Sequence, residues 1–454
     1  MILMIESLVK DFSTKCEYVD ARVHESSKEI VVLENGETNN IFTNNKSLGV
    51  RVLFKGGWGM AYSYNPDNAR ELFNKALKIA KLTPNPISDF NPPKSVTADK
   101  KYPYKTDPFS IEPINKIKLL KSFESKLKNN EAVKNVKSLL VNSRINKKII
   151  APGVNIKQEY TINDFKIAVT AREGAVIQST IDIYSKLGGY EVINSLNIDE
   201  RSNKLLEQIN RLLHAKAPKP ERASIVCDPR MTGLFFHEAV GHACEADTII
   251  NQASVFQGMK NKMVASKEVN LVDDPTIKER GFYWYDDEGV KASPTKLISN
   301  GKLTGLLHSL KTANKLDEEP TGNGRTMNAE SPPIPRMSNT LLKPGEWGFE
   351  ELIKEAGNGY LVKGFTGGEV DPITGQFSFG ATECYRIVNG EVAEPLRDVT
   401  LAGSILETLK DIKVGSDSKK TRLASNCGKA GQLVRVGEKC PSILIKEAVI
   451  GGSA

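Results

Sequence analysis

His237 and His242 stand five residues apart in the stretch 231–247, MTGLFFHEAVGHACEAD, with Glu238 beside the first, which makes an H-E-x-x-x-H string. The commoner four-residue spacing puts two imidazoles on one helical face. At about 100° per residue, five steps leave the second ring roughly 140° round from the first, so an undistorted helix would aim the two apart. A π-turn, which closes i to i+5, realigns them, and Gly241 lowers the cost of that distortion. The spacing therefore predicts an irregular helix between Gly233 and Cys244. Just upstream, residues 223–227 read as a strand. Asp228-Pro229, an N-cap followed by proline at the first helical position, marks where the helix starts.

Two neutral imidazoles hold an ion, and a neighbouring carboxylate takes a proton from an attacking water, so this string is a candidate reaction centre of a metal hydrolase. The chain has only five histidines. The alternative, core imidazoles bonded to backbone carbonyls, stays open for this pair and is the reading for His24, His214 and His308. A catalytic zinc usually takes three protein ligands. Candidates for the third are Cys244, Glu245, Cys427 and Cys440. Cys244 lies awkwardly close to His242, and Glu245 equally suits orienting an imidazole from outside. Spacing does not decide between the distant cysteines. Cys427 sits in a small polar loop, SNCGK, where Lys429 favours a thiolate, whereas Cys440 precedes a proline and an apolar run.

Composition excludes more than it assigns. A chain of 454 residues, 39% hydrophobic and 26% charged, buries a substantial core and has room for two or three domains. The net charge of +7 is spread along the chain, not gathered into a basic block, so a nucleic-acid partner is not expected. No apolar run is long enough to span a bilayer, and the first residues lack the pattern of a signal peptide, so the expected compartment is the cytoplasm. Six cysteines without a C-x-x-C pair argue against a disulfide framework.

Taken in order, residues 5–12 read as an amphipathic helix, 18–23 and 29–33 as strands, and Asn35-Gly36 as a hairpin turn. Residues 49–54 and 58–64 read as strands about a Gly56-Gly57 turn, and Asp67 as the cap of a helix to about Leu82. Residues 85–109, rich in proline and lysine, read as a linker or extended arm. Beyond it come a helix over 114–127, antiparallel segments at 137–141, 154–162 and 165–184, and a helix over 198–213. The expected class is α+β: two N-terminal modules, 1–88 and 108–218, then a larger domain, 219–454, rich in antiparallel sheet and carrying the metal-binding helix. The glycine-rich FTGGEVDPITG lacks the lysine and hydroxyl residue of a phosphate loop and reads as a turn or a substrate-lining loop. The tail, 448–454, is expected to line or close the site.

Seven collinear motifs extend the argument: GVRVLFKGGWGMAYS at 49–63, FHEAVGHACEAD at 236–247, DDEGV at 286–290, PTGNGR at 320–325, PRMSNT at 335–340, FTGGEVDPITGQFSF at 365–379 and NCGKAGQ at 426–432. Together they resemble the TldD/PmbA metallopeptidases, in their metal-bearing TldD branch. The resemblance implies a peptidase with one Zn2+ per chain, held by His237, His242 and Cys427, with Glu238 as general base. It also implies a dimer, with a related metal-less PmbA/TldE-like chain or with itself, enclosing a site that admits short or unfolded peptides. Asn323, Arg325, Arg336 and Asn339 are candidate contacts to substrate or oxyanion. Two other readings are an amidase or deacylase acting on a small molecule and a non-catalytic subunit capping a related chain. Glu238 argues against the last, since a purely structural metal has no use for a base.

Overall fold

A computed structural model of the chain describes residues 1–84, 90–417 and 423–452. Helix α1 (Ile2–Phe12) buries Ile5, Leu8, Val9 and Phe12 at helical spacing. β1 (Tyr18–Glu34) and β2 (Glu37–Phe54) form a long hairpin, turning at Asn35-Gly36 with both residues at positive φ, 48° and 89°. The two short strands expected within 18–33 are one. The polar stretch between them stays in the ladder because β2 pairs with it from Tyr18↔Leu53 to Glu34↔Glu37. The next turn falls at Lys55-Gly56, one residue early, and leads into β3 (Gly57–Ser63). A Cβ on Gly57 would meet the Ala80 carbonyl oxygen at 2.4 Å, and one on Gly59 that of Ala76 at 2.1 Å, so these glycines let α2 (Ala69–Leu82) lie on β3. Asp67 does not cap α2. Its amide instead donates to the Asn65 side chain at 3.1 Å, closing a short 3-10 turn, Pro66–Asn68, ahead of the helix.

Part of the presumed linker is structured. β4 (Val96–Lys101) joins an edge of the sheet in parallel register, Val96↔Val154 to Lys101↔Glu159, while 85–89 lie outside the described residues. After α3 (Pro113–Lys128) come β5 (Val133–Ala151), β6 (Val154–Glu173) and β7 (Val176–Leu187). The segment expected at 165–184 is thus two strands, turned at Gly174. A single turn, α4 (Glu191–Asn194), precedes α5 (Ile198–His214).

Among the described residues, β1 to β7 form one sheet, because β1 pairs with β5 from Ala21↔Ile150 to Glu34↔Lys137. The stretches 1–88 and 108–218 therefore share a backbone framework while keeping separate cores. Phe12, Val50 and Phe73 belong to one core, under α1 and α2, and Leu33, Phe123, Phe165 and Ile209 to the other, under α3 and α5.

The C-terminal part is antiparallel-rich, as the sequence predicts. β8 (Glu221–Cys227) lies between Ile443–Gly452, antiparallel to it, and Gly359–Lys363, parallel to it. Residues 448–452 of the tail are thus held in a sheet, away from the role expected for them, and 453–454 lie outside the described residues. A second sheet sets Leu271–Asp273, Asn339–Leu342, Gln432–Lys439 and Leu423–Lys429 side by side. The FTGGEVDPITG segment is a hairpin, Gly367–Val370 against Gln376–Gly380, its turn held by Asp371 accepting from Ile373 N at 2.9 Å.

The two halves meet across buried charge. Arg51 of β2 donates to Asp20 at 2.6 and 2.8 Å and to Glu288 at 2.6 Å, with its guanidinium 4.5 Å from the Trp58 ring. Asp286 accepts from Gly324 N, and Asp287 from Thr326 N, both at 2.9 Å. The DDEGV and PTGNGR motifs therefore build this joint. Among the described residues, no helix is long and apolar enough to cross a membrane.

Candidate metal centre

The central helix begins as the sequence predicts. Asp228 Oδ1 accepts from Met231 N at 2.8 Å, Pro229 occupies the first turn, and α6 runs Pro229–Phe235. It then widens into a π segment, Phe236–Gly241, in which His242 N donates to His237 O, and tightens again into a 3-10 turn, His242–Cys244. The extra residue is absorbed, and the two rings meet with centroids 5.5 Å apart and planes at 88°. Gly241 serves a different purpose from the one expected. Its φ of −59° is ordinary for any residue, but a Cβ there would lie 1.9 Å from Met337 Sδ. The glycine is needed for close packing, not for backbone freedom.

The third donor arrives from far along the chain. Leu423–Lys429 and Gln432–Lys439 form a hairpin turned at Ala430-Gly431, with Cys427 opposite Val434. Cys427 Sγ lies 3.1 Å from His242 Nε2, and one donor atom each from His237, His242 and Cys427 lie within 4.8 Å of one another. Arg336 fixes this hairpin, donating to the carbonyls of Cys427 at 2.6 Å and Gln432 at 3.1 Å. Cys244 and Cys440, the other thiols considered, stand outside the cluster, and burial pushes both upward, Cys440 to about 12.

Each histidine faces a carboxylate with its outer nitrogen. His242 Nδ1 meets Glu245 Oε2 at 2.9 Å, and His237 Nδ1 lies 3.5 Å from Glu438 Oε1 and 3.4 Å from Thr340 Oγ1. Such outer carboxylates set the tautomer and raise the basicity of ligating imidazoles. Glu245 is in turn held by Lys429 at 2.9 Å. Nothing in the local sequence marks Glu438. It reaches the site because its strand pairs with Asn339–Leu342, aligning Glu438 with Thr340. Glu238 is the accessible member, its side chain 34% exposed and Oε2 3.6 Å from His242 Nε2.

The electrostatics suit a cation. Burial opposes ionisation of Cys427, yet His237 and His242 together lower its thiol to about 4. Burial likewise opposes protonation of His237, but Cys427 and then Glu438 and Glu238 raise it to about 9. Without a metal, this is a thiolate held between imidazolium rings. His237 Nε2 is buried and has no protein hydrogen-bond partner. A soft sulfur and two imidazole nitrogens with convergent lone pairs make a donor set that fits zinc.

Three of the four polar residues expected at the substrate are engaged inside the protein. Asn323 donates to Asp273 at 2.7 Å and to the Arg336 carbonyl, Asn339 to the carbonyls of Asp274 and Ile277, and Arg336 to the cysteine hairpin. Arg325 also bonds carbonyls, those of Met337 and Arg435, but it lines a cavity of about 1020 Å³ between the N-terminal sheet and the C-terminal domain. The wall of that cavity includes Asn426, next to Cys427, Val434, and Arg230 at the start of α6. The three donors do not line it, so the cavity adjoins the centre without containing it. His24, His214 and His308 lie outside the cluster.

Comparison with known proteins places the chain. Residues 220–452 match the family model described as PmbA/TldA metallopeptidase C-terminal domain, and 19–80 match PmbA/TldA metallopeptidase domain 1. A metalloprotease of Methanothermobacter thermautotrophicus is 37% identical over 451 residues, 98% of each chain. A zinc metalloprotease TldD homolog of Saccharolobus solfataricus is 33% identical over 293 residues, 64% of this chain and 65% of that one. The crystal structure of TldE from Thermococcus kodakarensis shares the fold, with a TM-score of 0.78 at 20% identity, covering 99% of this chain and 100% of that one. The chain belongs to the PmbA/TldD metallopeptidase family.

Proposed function

We propose that this chain is a zinc peptidase, with one ion per chain held by His237, His242 and Cys427 and with Glu238 as the general base. The observation that carries the reading is the convergence of those three donors within 4.8 Å, with the partly exposed Glu238 carboxylate 3.6 Å from His242. A bound zinc supplies a Lewis acid that polarises the scissile carbonyl and acidifies the attacking water. Glu238 takes the proton from that water and returns it to the leaving amine. Glu245 and Glu438 hold the imidazoles in the tautomer that turns Nε2 inward, and Arg336 holds the cysteine strand. Arg336, Asn323 and Asn339 thus act as positioning residues.

The substrate is a short or unfolded peptide. A cavity of about 1020 Å³ beside the cluster lies at the upper end of the range for ligand sites and has room for a peptide segment. The Saccharolobus relative carries zinc in its name, and the dimer, with a metal-less relative or with a second copy, is what the resemblance to the TldD branch implies. Unpaired thiols, six among the described residues, suit the cytoplasm. The test is zinc content and peptide cleavage measured on the wild-type chain, Glu238→Gln and Cys427→Ala. One zinc in wild type and Glu238→Gln, cleavage in wild type alone, and loss of zinc in Cys427→Ala are expected. Full zinc and activity in Cys427→Ala would remove the cysteine from the ligand set.

A further inference from the structure

A recess of about 90 Å³ adjoins the large cavity, sharing Asp182, Arg201, Lys204 and Arg230 with it and adding Lys363 to its wall. Its acidic groups are already engaged. Asp182 pairs with Arg201, Glu383 accepts from Arg211 at 2.9 Å, and Asp228 Oδ1 accepts from the amides of Met231 and Gly364 at 2.8 and 2.9 Å. Lys204, Arg230 and Lys363 form no ion pair among the described residues. The carboxylate that Arg230 and Lys363 feel is Asp228, beyond ion-pair distance and occupied in holding the start of α6. Arg230 Nε is buried with no hydrogen-bond partner. Three cations, the exposed Lys204 among them, thus line a recess whose carboxylates are each held by other groups, Asp182 by Arg201, Glu383 by Arg211 and Asp228 by backbone amides.

Position gives this charge a meaning. Arg230 precedes His237 by seven residues on one helical run, a rise of about 10 Å. An extended peptide advances about 3.3 Å per residue, so the recess lies roughly three residues along a chain whose scissile bond is at the cluster. Guanidinium and ammonium groups lining a partly enclosed recess bind carboxylates through charge-assisted hydrogen bonds that water screens weakly. We propose that this recess is a specificity subsite for a carboxylate of the peptide, about three residues from the bond that is cut. The inference rests on the peptidase reading of the adjoining centre. It makes the preferred substrate an acidic peptide segment or one ending in a free carboxylate.

The experiment compares three labelled peptides of one sequence: an amidated peptide with glutamate at the third position from the cleaved bond, its glutamine counterpart, and the glutamine peptide with a free C-terminus there. Binding is measured to zinc-loaded Glu238→Gln, which cannot cut, and cleavage to wild type. One of the two carboxylate peptides binding about tenfold more tightly than the amidated glutamine peptide, with the gain shrinking at high salt, is expected, and which one gains identifies the source of the carboxylate. Arg230→Gln and Lys363→Gln, added to Glu238→Gln, are expected to abolish the gain while zinc content stays at one per chain. Equal affinity for all three peptides, or a gain that survives in those variants, overturns the subsite. Equal cleavage of all three would do so too and leave the peptidase reading standing, whereas discrimination in binding without any cleavage would overturn that reading and leave the subsite.

Discussion

Two buried polar clusters, both built from groups distant in sequence, make an instructive pair. At the joint between the halves, Arg51 bonds through all three of its nitrogens to Asp20 and Glu288, and Glu288 also accepts from Leu310 N at 2.6 Å. Burial works against the Arg51 charge, yet Asp20 and Glu288 hold it above the usual range. At the metal centre, a thiolate and two imidazoles crowd one point. The first cluster gives each nitrogen of its central guanidinium a carboxylate, although Asp20 Oδ1 and the Arg22 Nε 3.6 Å from it make no hydrogen bond. The second gathers donors of the metal-ligating kind instead. Burial, charge and unpartnered atoms occur in both, and what separates them is donor type, carboxylate and guanidinium in the first, thiolate and imidazole in the second.

The comparison can be broken at either end. The largest effect is expected at the centre, where Glu238→Gln should lower kcat by about 10²- to 10⁴-fold with zinc retained, the range for a lost general base. Loss of zinc from that variant would make Glu238 a ligand instead. At the joint, Arg51→Met leaves Glu288 buried without its cation and Asp20 with only Arg22 at 3.6 Å, and should cost about 3–5 kcal/mol in denaturant unfolding while zinc stoichiometry holds. A fall in zinc content there would mean that the two clusters are coupled. Glu245→Gln, which keeps the hydrogen bond to His242 but drops the charge, should weaken zinc about 10- to 100-fold in a chelator competition.

The smallest effect is spectroscopic. Cys427 is lowered to about 4, whereas Cys16 is raised to about 11, Cys384 and Cys440 to about 12, and Cys227 and Cys244 also rise, in each case mainly through burial. The depressed thiol contributes its ion pair above pH about 4, and His237 keeps its proton until pH about 9. Metal-free protein should therefore show one thiolate by ultraviolet absorbance between about pH 5 and 8, absent in Cys427→Ser. A first thiolate appearing only above that window would contradict the pairing.

What the sequence made legible was local. The five-residue histidine spacing required a wide turn, Asp228-Pro229 announced the helix start, and Asn35-Gly36 announced a hairpin, because each is decided within a turn or two of chain. The rest depends on pairing at long range. Cys427 and His242 are 185 residues apart, and spacing could not choose between Cys427 and Cys440. Glu438 enters through a parallel strand partner, and β1 joins two stretches that read as separate modules through its pairing with β5. Asn323, Arg336 and Asn339 read in the sequence as contacts to substrate or oxyanion. Burial, which sequence does not display, turns them into braces.

The wide turn at Phe236–Gly241 also makes the site a matter of residue count. Everything downstream is phased to that one additional residue, including His242 against Cys427, Glu245 against the far side of the His242 ring, and Asp247 with Lys429. Deleting one residue between the two histidines would bring them to the four-residue spacing, which an ordinary helix already puts on one face without a wide turn. The wide turn is thus the device by which this chain gives a five-residue spacing the convergence that four residues have without it, and the glycine beside Met337 leaves it room.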